Sequence, residues 1–465
     1  MYLGLEAKPR DKAALVDDFG SIVSFGELCS FMSEMKGFVK SGAVVFCLCE
    51  NSVGAIAGYL SFMENGAVPL LLNARIDRTQ LANLMQTYTP PYICFPDRYK
   101  GEFSGCRVIF GRYGYVLAET GNKFYPVNKD LAMLLCTSGS TGSPKLVRHK
   151  LINLEMSAKH VSEFFGACED DRSMADLPMY YTMGLSVINS YLYRGATVAA
   201  TSKSLMSPEF WDFFGAQDIT VFTGVPYSFE ILRRLRFTGK EWPHLKILTQ
   251  GGGKLKEKIY LEFAEYARRT GKKFIATYGQ TECSARMAYL PPEFAISKQG
   301  SIGRAIPGGE LFIINDKKDF IEGPGEGEMC YCGPNVTMGY AECRKDLLKG
   351  DEWYGFRHTG DIARRDEDGF YFITGRKSRF LKLFGVRVGL DDCEKIIYSK
   401  FGIDCACAGD DKEMRVYITR DDLSDAVVSL LSDTTGILRT AFKIFVIDQL
   451  PRSGAGKILY SQLPQ

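Results

Sequence analysis

The chain has 465 residues, enough for one large α/β body and a smaller companion. Apolar residues make up 46% and charged residues 24%, and the formal net charge is +2, so a nucleic-acid or anionic-membrane partner has no electrostatic support. No apolar run reaches transmembrane length, and Met1-Tyr2-Leu3-Gly4-Leu5-Glu6 lacks a basic-then-apolar leader, which points to a cytoplasmic protein without a membrane span.

The predicted elements begin with a strand at residues 44–49, a helix at 53–63 and a second strand at 67–72. Residues 131–136 form a further apolar strand. Strands at 196–200, 219–222, 245–248 and 273–276 continue the rhythm, which predicts an α/β fold built on mostly parallel sheets. From about residue 300 glycine-rich turns separate short alternating strands at 310–314, 327–332 and 370–373, predicting a small antiparallel or β-barrel-like unit. A last α+β segment holds a helix at 390–400 and a strand at 415–418. A polar break at Gly375-Arg376-Lys377-Ser378-Arg379 divides a large domain, 1–376, from a small one, 377–465.

Six of the fourteen cysteines form three Cys-x-Cys pairs, Cys47/Cys49, Cys330/Cys332 and Cys405/Cys407, in or beside strand-like stretches. Two residues apart on a strand, the thiols of a pair share a face. With four scattered histidines a zinc site is weakly supported, and buried reduced thiols are the expectation.

The segment Thr137-Ser138-Gly139-Ser140-Thr141-Gly142-Ser143-Pro144-Lys145 directly follows the strand at 131–136. Glycines that turn N–H groups inward, hydroxyl donors and a lysine suit a polyphosphate. It is not a Walker A loop, because Pro144 precedes the lysine and Leu146 follows it. Tyr278-Gly279-Gln280-Thr281-Glu282 follows the strand at 273–276, where parallel sheets place ligands. Its ring, hydroxyl and carboxylate suit a base, a phosphate and Mg²⁺. Gly251-Gly252-Gly253 allows close backbone approach to a flat ligand, though alone it reads as a tight turn. Asp361, in His358-Thr359-Gly360-Asp361, is a loop carboxylate suited to ribose hydroxyls or an Asx-turn. Lys457 sits on the glycine loop Pro451-Arg452-Ser453-Gly454-Ala455-Gly456, as a surface lysine or one delivered to a polyphosphate.

The order of these islands resembles that of the adenylate-forming superfamily: acyl-CoA synthetases, adenylation domains of peptide synthetases and luciferases. Leu177-Pro178-Met179-Tyr180-Tyr181, Gly327-Glu328 with Gly333-Pro334-Asn335-Val336, and Gly375-Arg376-Lys377 complete the set. The resemblance extends from Ser24-Phe25-Gly26-Glu27-Leu28 to Lys457. It implies a two-step ligase in which a carboxylate attacks the α-phosphate of Mg·ATP and a thiol, of CoA or of a carrier protein's phosphopantetheine arm, then displaces AMP.

The same resemblance implies the residue roles. Thr137, Ser138, Gly139, Ser140, Thr141, Gly142 and Lys145 match the mobile phosphate loop. Gly251, Gly252, Gly253, Gly279 and Gln280 match nucleotide-binding positions, and Tyr278 the adenine-stacking residue. Thr281 matches a phosphate contact, Glu282 and Thr141 match Mg²⁺ contacts, and Asp361 and Arg376 the ribose contacts. Lys457 matches the adenylation lysine and Lys382 a lysine of the second step. The hinge between half-reactions falls on Ser378, where family members carry Asp or Lys.

The implied acyl pocket draws on Tyr181, Thr182, Met183, Gly184, Thr223, Gly224 and Tyr227 with Gly251, Gly252 and Gln280. It favours a small or medium acyl chain, with or without hydroxyls, over a bare long chain. Thr182 stands where amino-acid-activating members carry Asp, which disfavours an α-amino acid because a buried ammonium would lack a carboxylate. Tyr181 stands where many acyl-CoA ligases have His. Amino-acid adenylation and a non-catalytic nucleotide-binding homologue are the alternatives, and a separate carrier protein is the one macromolecular partner implied.

Overall fold

A computed structural model describes residues 1–136, 145–377, 379–383, 386–410, 412–453 and 456–464. Thr137, Ser138, Gly139, Ser140, Thr141, Gly142 and the hinge position Ser378 lie outside the described residues. The chain divides into two compact units. The first holds 1–136, 145–310 and 331–357, and the second 311–330 and the described residues from 358 onward.

The first unit contains two large mixed sheets. One has nine strands in the order Arg304–Ala305, Ala288–Leu290, Lys273–Tyr278, Ile247–Gln250, Val221–Gly224, Arg172–Ala175, Thr197–Ala200, Ala13–Asp17 and Ile22–Ser24. Its pairings from Lys273–Tyr278 to Ala13–Asp17 are all parallel, and both margins are antiparallel. The other has eight strands: Tyr340–Ala341, Leu146–Lys150, Leu131–Cys136, Val68–Asn73, Val44–Cys49, Tyr92–Pro96, Tyr115–Glu119 and Arg107–Arg112. Its four central strands are parallel to one another.

Burial explains why these segments read as continuous apolar runs. All six residues of Val44–Cys49 are buried, and so are eleven of the twelve in the helix Val53–Glu64. A parallel sheet covered on both faces has no polar side to alternate with. Polar residues supply the punctuation. Ser24 begins the helix Phe25–Glu34 with a reciprocal capping box to Glu27. Ser52 caps Val53–Glu64 by accepting from the Ala55 amide.

The second unit holds most of the four-stranded sheet Glu310–Ile314, Gly325–Cys332, Phe356–Arg365 and Tyr371–Arg376, of which Glu310, Tyr331, Cys332, Phe356 and Arg357 count with the first. The hairpin Phe380–Leu383/Val386–Gly389 follows. A three-stranded sheet, Cys405–Asp410, Glu413–Ile418 and Phe442–Val446, carries the helices Leu390–Phe401 and Ser424–Thr435. Leu383, Ile397, Cys407, Val416 and Leu431 close a core of their own there.

Several sequence expectations shift. Tyr278 is the last residue of its strand rather than the residue after it, and Thr249 and Gln250 also belong to a strand. Asp361 lies inside the strand Phe356–Arg365, not on a loop. Cys332 is exposed, whereas Cys47, Cys49, Cys330, Cys405 and Cys407 are buried thiols. Among the described residues no helix is long and apolar enough to cross a membrane.

Candidate active site

Three parallel strands deliver their carboxyl ends to one edge of the nine-stranded sheet. Gly224 pairs with Gln250, and Gln250 with Ala276, so the first two strands end level with each other and the third runs two residues further, to Tyr278. Side chains tie these ends together. The Thr249 hydroxyl donates to Thr223 Oγ1 at 2.8 Å, and Thr277 donates to the Gln250 carbonyl at 3.0 Å. Gln250 Nε2 donates to the Gly253 carbonyl at 2.7 Å, which fixes the path of Gly251-Gly252-Gly253.

The glycines are required by contact. A Cβ at Gly251 would lie 2.5 Å from Thr277 Oγ1, 3.1 Å from Met183 Cε and 3.2 Å from Arg286 Nη1. Gly252 has φ +79°, a left-handed conformation that side chains disfavour, and its Cβ would meet Met183 Sδ at 3.3 Å. The structure thus brings Met183, Gly251, Gly252, Thr277 and Arg286 together. Met183 reaches them from the first turn of the helix Thr182–Arg194, which Tyr181 precedes as N-cap residue. That turn is seated by Gly184, where a Cβ would lie 2.4 Å from the Pro178 carbonyl. Asn51 holds the preceding loop, donating to the carbonyls of Ala175 and Leu177 and accepting from the Met179 amide. Gly224 abuts Ser228 and Phe229 of the helix Pro226–Arg234, whereas Tyr227 of the same helix is 45% exposed.

The Tyr278–Glu282 turn is equally constrained. A Cβ at Gly279 would lie 1.5 Å from the Ala285 carbonyl, so no other residue fits this backbone. Gln280 Nε2 donates to the Tyr278 hydroxyl at 3.1 Å. The short turn Thr281–Cys283 follows, and then Ser284 and Ala285 adopt positive φ, at 49° and 98°. Such backbone persists only where its surroundings over-determine it. Asn335, fully buried, does so by donating to the carbonyls of Cys283 and Arg286 at 2.8 and 2.9 Å. Thr337 donates twice to the Glu282 carbonyl. The Tyr340 hydroxyl donates to Glu282 Oε1 at 2.6 Å and accepts from Arg357 Nη2 at 3.0 Å. Lys145 is 2.9 Å from Glu342 and 5.8 Å from the Tyr340 ring centroid.

Among the described residues no group of three or more His, Cys, Asp and Glu could hold a metal. Glu282 supplies a single carboxylate. Mg²⁺ takes one or two carboxylates and completes its octahedron with phosphate oxygens and water. This donor set fits a Mg²⁺ that arrives on a polyphosphate.

The remaining sequence candidates belong to the second unit. Asp361 is 4% exposed and sits directly across the hairpin from Arg376, whose Nε lies 3.1 Å from Oδ1. Thr359, which donates to the Met329 carbonyl, accepts the Asp361 amide at 3.1 Å. Lys382 lies in the hairpin strand paired with Arg387. The backbone at Lys457 closes a turn with Ser453, through N–H to carbonyl at 2.8 Å and a return bond to the serine hydroxyl at 3.2 Å. Arg379, read as part of a charged break, is held by Asp391 at 2.6 Å and Glu394 at 2.7 Å, with Tyr460 over its guanidinium.

Arg286, Asn335, Tyr340 and Arg357 were not singled out from sequence, Asn335 having been noted only as part of an island. Two more buried polar residues, Arg148 and His149, and the half-buried Asp176 lie in the first unit. Arg148 is fully buried and completely paired: Nε donates to the Tyr340 carbonyl at 3.0 Å, and Nη1 to the carbonyls of Lys349 at 2.5 Å and Gly350 at 3.1 Å. Nη2 donates to the Met338 carbonyl at 3.0 Å and to the Glu352 carboxylate. His149 is fully buried with Nδ1 3.1 Å from Ser284 Oγ and Nε2 without a partner among the described residues, and burial pushes its pKa down to about 3. Burial raises the Asp176 carboxyl to about 7.

A phosphate-loop candidate, a glycine-lined strand edge and a carboxylate turn on an α/β scaffold define a nucleotide-dependent class of enzyme. Residues 5–341 match the family described as AMP-binding enzyme. The chain belongs to that family. It is 28% identical over 349 residues to oxalate–CoA ligase of Arabidopsis thaliana, 71% of this chain and 66% of that protein. The chain thus spans just under two thirds of that relative's length. It is 27% identical to 2-succinylbenzoate–CoA ligase of Geobacillus sp. strain WCH70 over 443 residues, 92% of this chain and 88% of that one. The solved structure of O-succinylbenzoate coenzyme A synthetase from Bacillus subtilis, in complex with AMP, superposes with a TM-score of 0.79 over 100% of this chain and 98% of that chain. At 22% identity that likeness establishes the fold.

Proposed function

We propose that the protein is an ATP-dependent acid–thiol ligase that forms an acyl-adenylate and passes the acyl group to CoA. The observation that carries this reading is the Tyr278–Glu282 turn: a glycine that admits no side chain, followed by a carboxylate oriented by Tyr340, at the carboxyl edge of a parallel sheet. Relatives named as CoA ligases support CoA over a carrier protein's phosphopantetheine arm as the acceptor.

A carboxylate resists attack by a thiol because its leaving group would be oxide. In the first step a carboxylate oxygen bonds to the α-phosphorus of ATP, and the bond to the β-phosphate oxygen breaks, releasing pyrophosphate. In the second, the thiol sulfur bonds to the acyl carbon, the bond to AMP breaks, and the thiol proton passes to solvent. Both steps bring anions or electron-rich atoms together, so alignment and charge stabilisation are what the protein must supply. Mg²⁺, carried by the triphosphate, would be held by Glu282, with Thr141 as the second contact expected from sequence; it neutralises phosphate charge.

We assign Tyr278 to stacking on adenine, and Asp361 with Arg376 to the ribose hydroxyls. Thr281 and the 137–145 segment, with Lys145, are assigned to phosphates. Gly251, Gly252 and Gly253 give the nucleotide and acyl group close approach to backbone. Thr182, Met183, Gly184, Thr223 and Gly224 line the acyl side. Lys457 is assigned to adenylation and Lys382 to thioester formation, with residues 377–465 acting as a mobile domain about Ser378. We propose a cytoplasmic location.

ATP–pyrophosphate exchange across fatty, hydroxy, aryl and amino acids tests the first step. Exchange stimulated by one acid class is expected; no exchange with any acid, despite ATP binding, would replace the ligase reading with a non-catalytic nucleotide-binding one. Lys457→Ala should lower exchange by about 1,000-fold yet spare thioester formation from supplied acyl-AMP, and Lys382→Ala should do the reverse. Equal losses in both half-reactions for both variants would sink the division of labour.

A further inference from the structure

Arg286 is 1% exposed. Its Nε donates to Ser186 Oγ at 3.4 Å and its Nη1 to Thr277 Oγ1, while its Nη2 has no hydrogen-bond partner among the described residues. Among the described residues no carboxylate pairs with it. The Phe165 ring, centred 5.7 Å from Cζ, covers one side. Burial lowers its pKa only to about 10, so it is a cation at neutral pH. A buried charge without a counter-charge is among the costliest features a fold can hold. The expense is explained if the counter-ion arrives with a ligand.

The position says which ligand. Arg286 Nη1 would be 3.2 Å from a Cβ at Gly251, in the same spot that Thr277 Oγ1 and Met183 Cε approach. Gly251 and Met183 are acyl-side residues of the reading above, and Gly251 presents only hydrogen to the guanidinium. Two hydroxyls already orient the guanidinium, and the fork geometry of arginine matches a carboxylate.

We propose that Arg286 binds a second carboxylate on the acyl substrate, so that the acid activated is a dicarboxylic acid, held at one end by Arg286 and adenylated at the other. This rests on the ligase reading. It makes Arg286 a specificity-determining residue: a monocarboxylic acid leaves the buried cation unpaired at the moment water is excluded.

The test uses the full-length protein and ATP–pyrophosphate exchange with matched pairs of aliphatic and aryl acids, each monocarboxylate beside its dicarboxylate counterpart. The dicarboxylate of the best pair should exceed its partner by about 100-fold or more in kcat/KM. In Arg286→Met that ratio should collapse toward one, and Arg286→Lys should retain an intermediate ratio. Thr277→Val, which removes the Nη1 acceptor but keeps the charge, should lower the ratio by about 10-fold and serves if Arg286→Met fails to fold. A wild-type preference for monocarboxylates, or an equal loss on both members of a pair in Arg286→Met, overturns the proposal while leaving the ligase reading intact. No exchange with any acid overturns both.

Discussion

Two buried arginines of the first unit have opposite surroundings. Arg148 donates to four carbonyls and a carboxylate, and none of its nitrogens lacks a partner. Arg286 meets two hydroxyls and a ring, and Nη2 is orphaned. Arg148 joins the strand Leu146–Lys150 to the segment from Met338 to Glu352, so its charge is absorbed by structure. Among the described residues nothing absorbs the charge of Arg286. Burial alone therefore does not mark a structural cation; completeness of pairing does.

Stability measurements sharpen this contrast most. Arg148→Met should lose about 3–5 kcal/mol in urea unfolding, because it removes the guanidinium donors from four carbonyls, of which that of Met338 keeps the Glu352 amide. Arg286→Met should stay within about 1 kcal/mol of wild type or exceed it, since it removes an under-paired charge and keeps the volume. Equal losses would erase the distinction. Next in size is Asn335→Ala, expected to cost about 2–3 kcal/mol by stranding the carbonyls of Cys283 and Arg286, and to weaken exchange activity by loosening the Glu282 turn.

His149, packed against that same turn, gives a pH signature. Its pKa falls from an ordinary 6.5 to about 3 in the fold. Below 6.5 the unfolded chain takes a proton that the folded chain refuses, so this group's contribution is lost as pH drops. The slope is about 1.4 kcal/mol per pH unit between these values. Unfolding free energies of His149→Gln should be less steep by up to that amount between about pH 4 and 6. The smallest effect is expected for Tyr340→Phe, which frees Glu282 Oε1 from its donor. The Mg²⁺ concentration for half-maximal exchange should rise by about 3- to 10-fold, at about 1 kcal/mol.

Sequence made the glycine and lysine islands legible because their chemistry is local: turns, hydroxyls and charges adjacent in the chain. The α/β alternation was legible for the same reason, through periodicity. Asp361 was placed on a loop because polar identity hid its period. Thr359, Asp361 and Ala363 are the buried positions of an alternating strand, a pattern that a hydrophobicity count misses when the inward residues are Thr and Asp. Arg286 had no signal, since Cys283-Ser284-Ala285-Arg286 resembles any exposed turn until Gly251, Thr277 and Phe165 are folded around it. Asn335 was visible within an island, but its work depends on two carbonyls about 50 residues away.

The distribution of thiols has a practical consequence. Cysteines of the second unit, Cys330, Cys393, Cys405 and Cys407, are all buried; burial raises the pKa of Cys330 and Cys393, and a hydrogen bond with Cys405 followed by burial raises that of Cys407. The exposed ones, Cys168, Cys332 and Cys343, all belong to the first. Since only accessible thiolates alkylate readily, a maleimide dye or spin label applied to the native protein would tag one unit and leave the other dark, giving a ready-made donor set for distance spectroscopy once a single cysteine is introduced past residue 377.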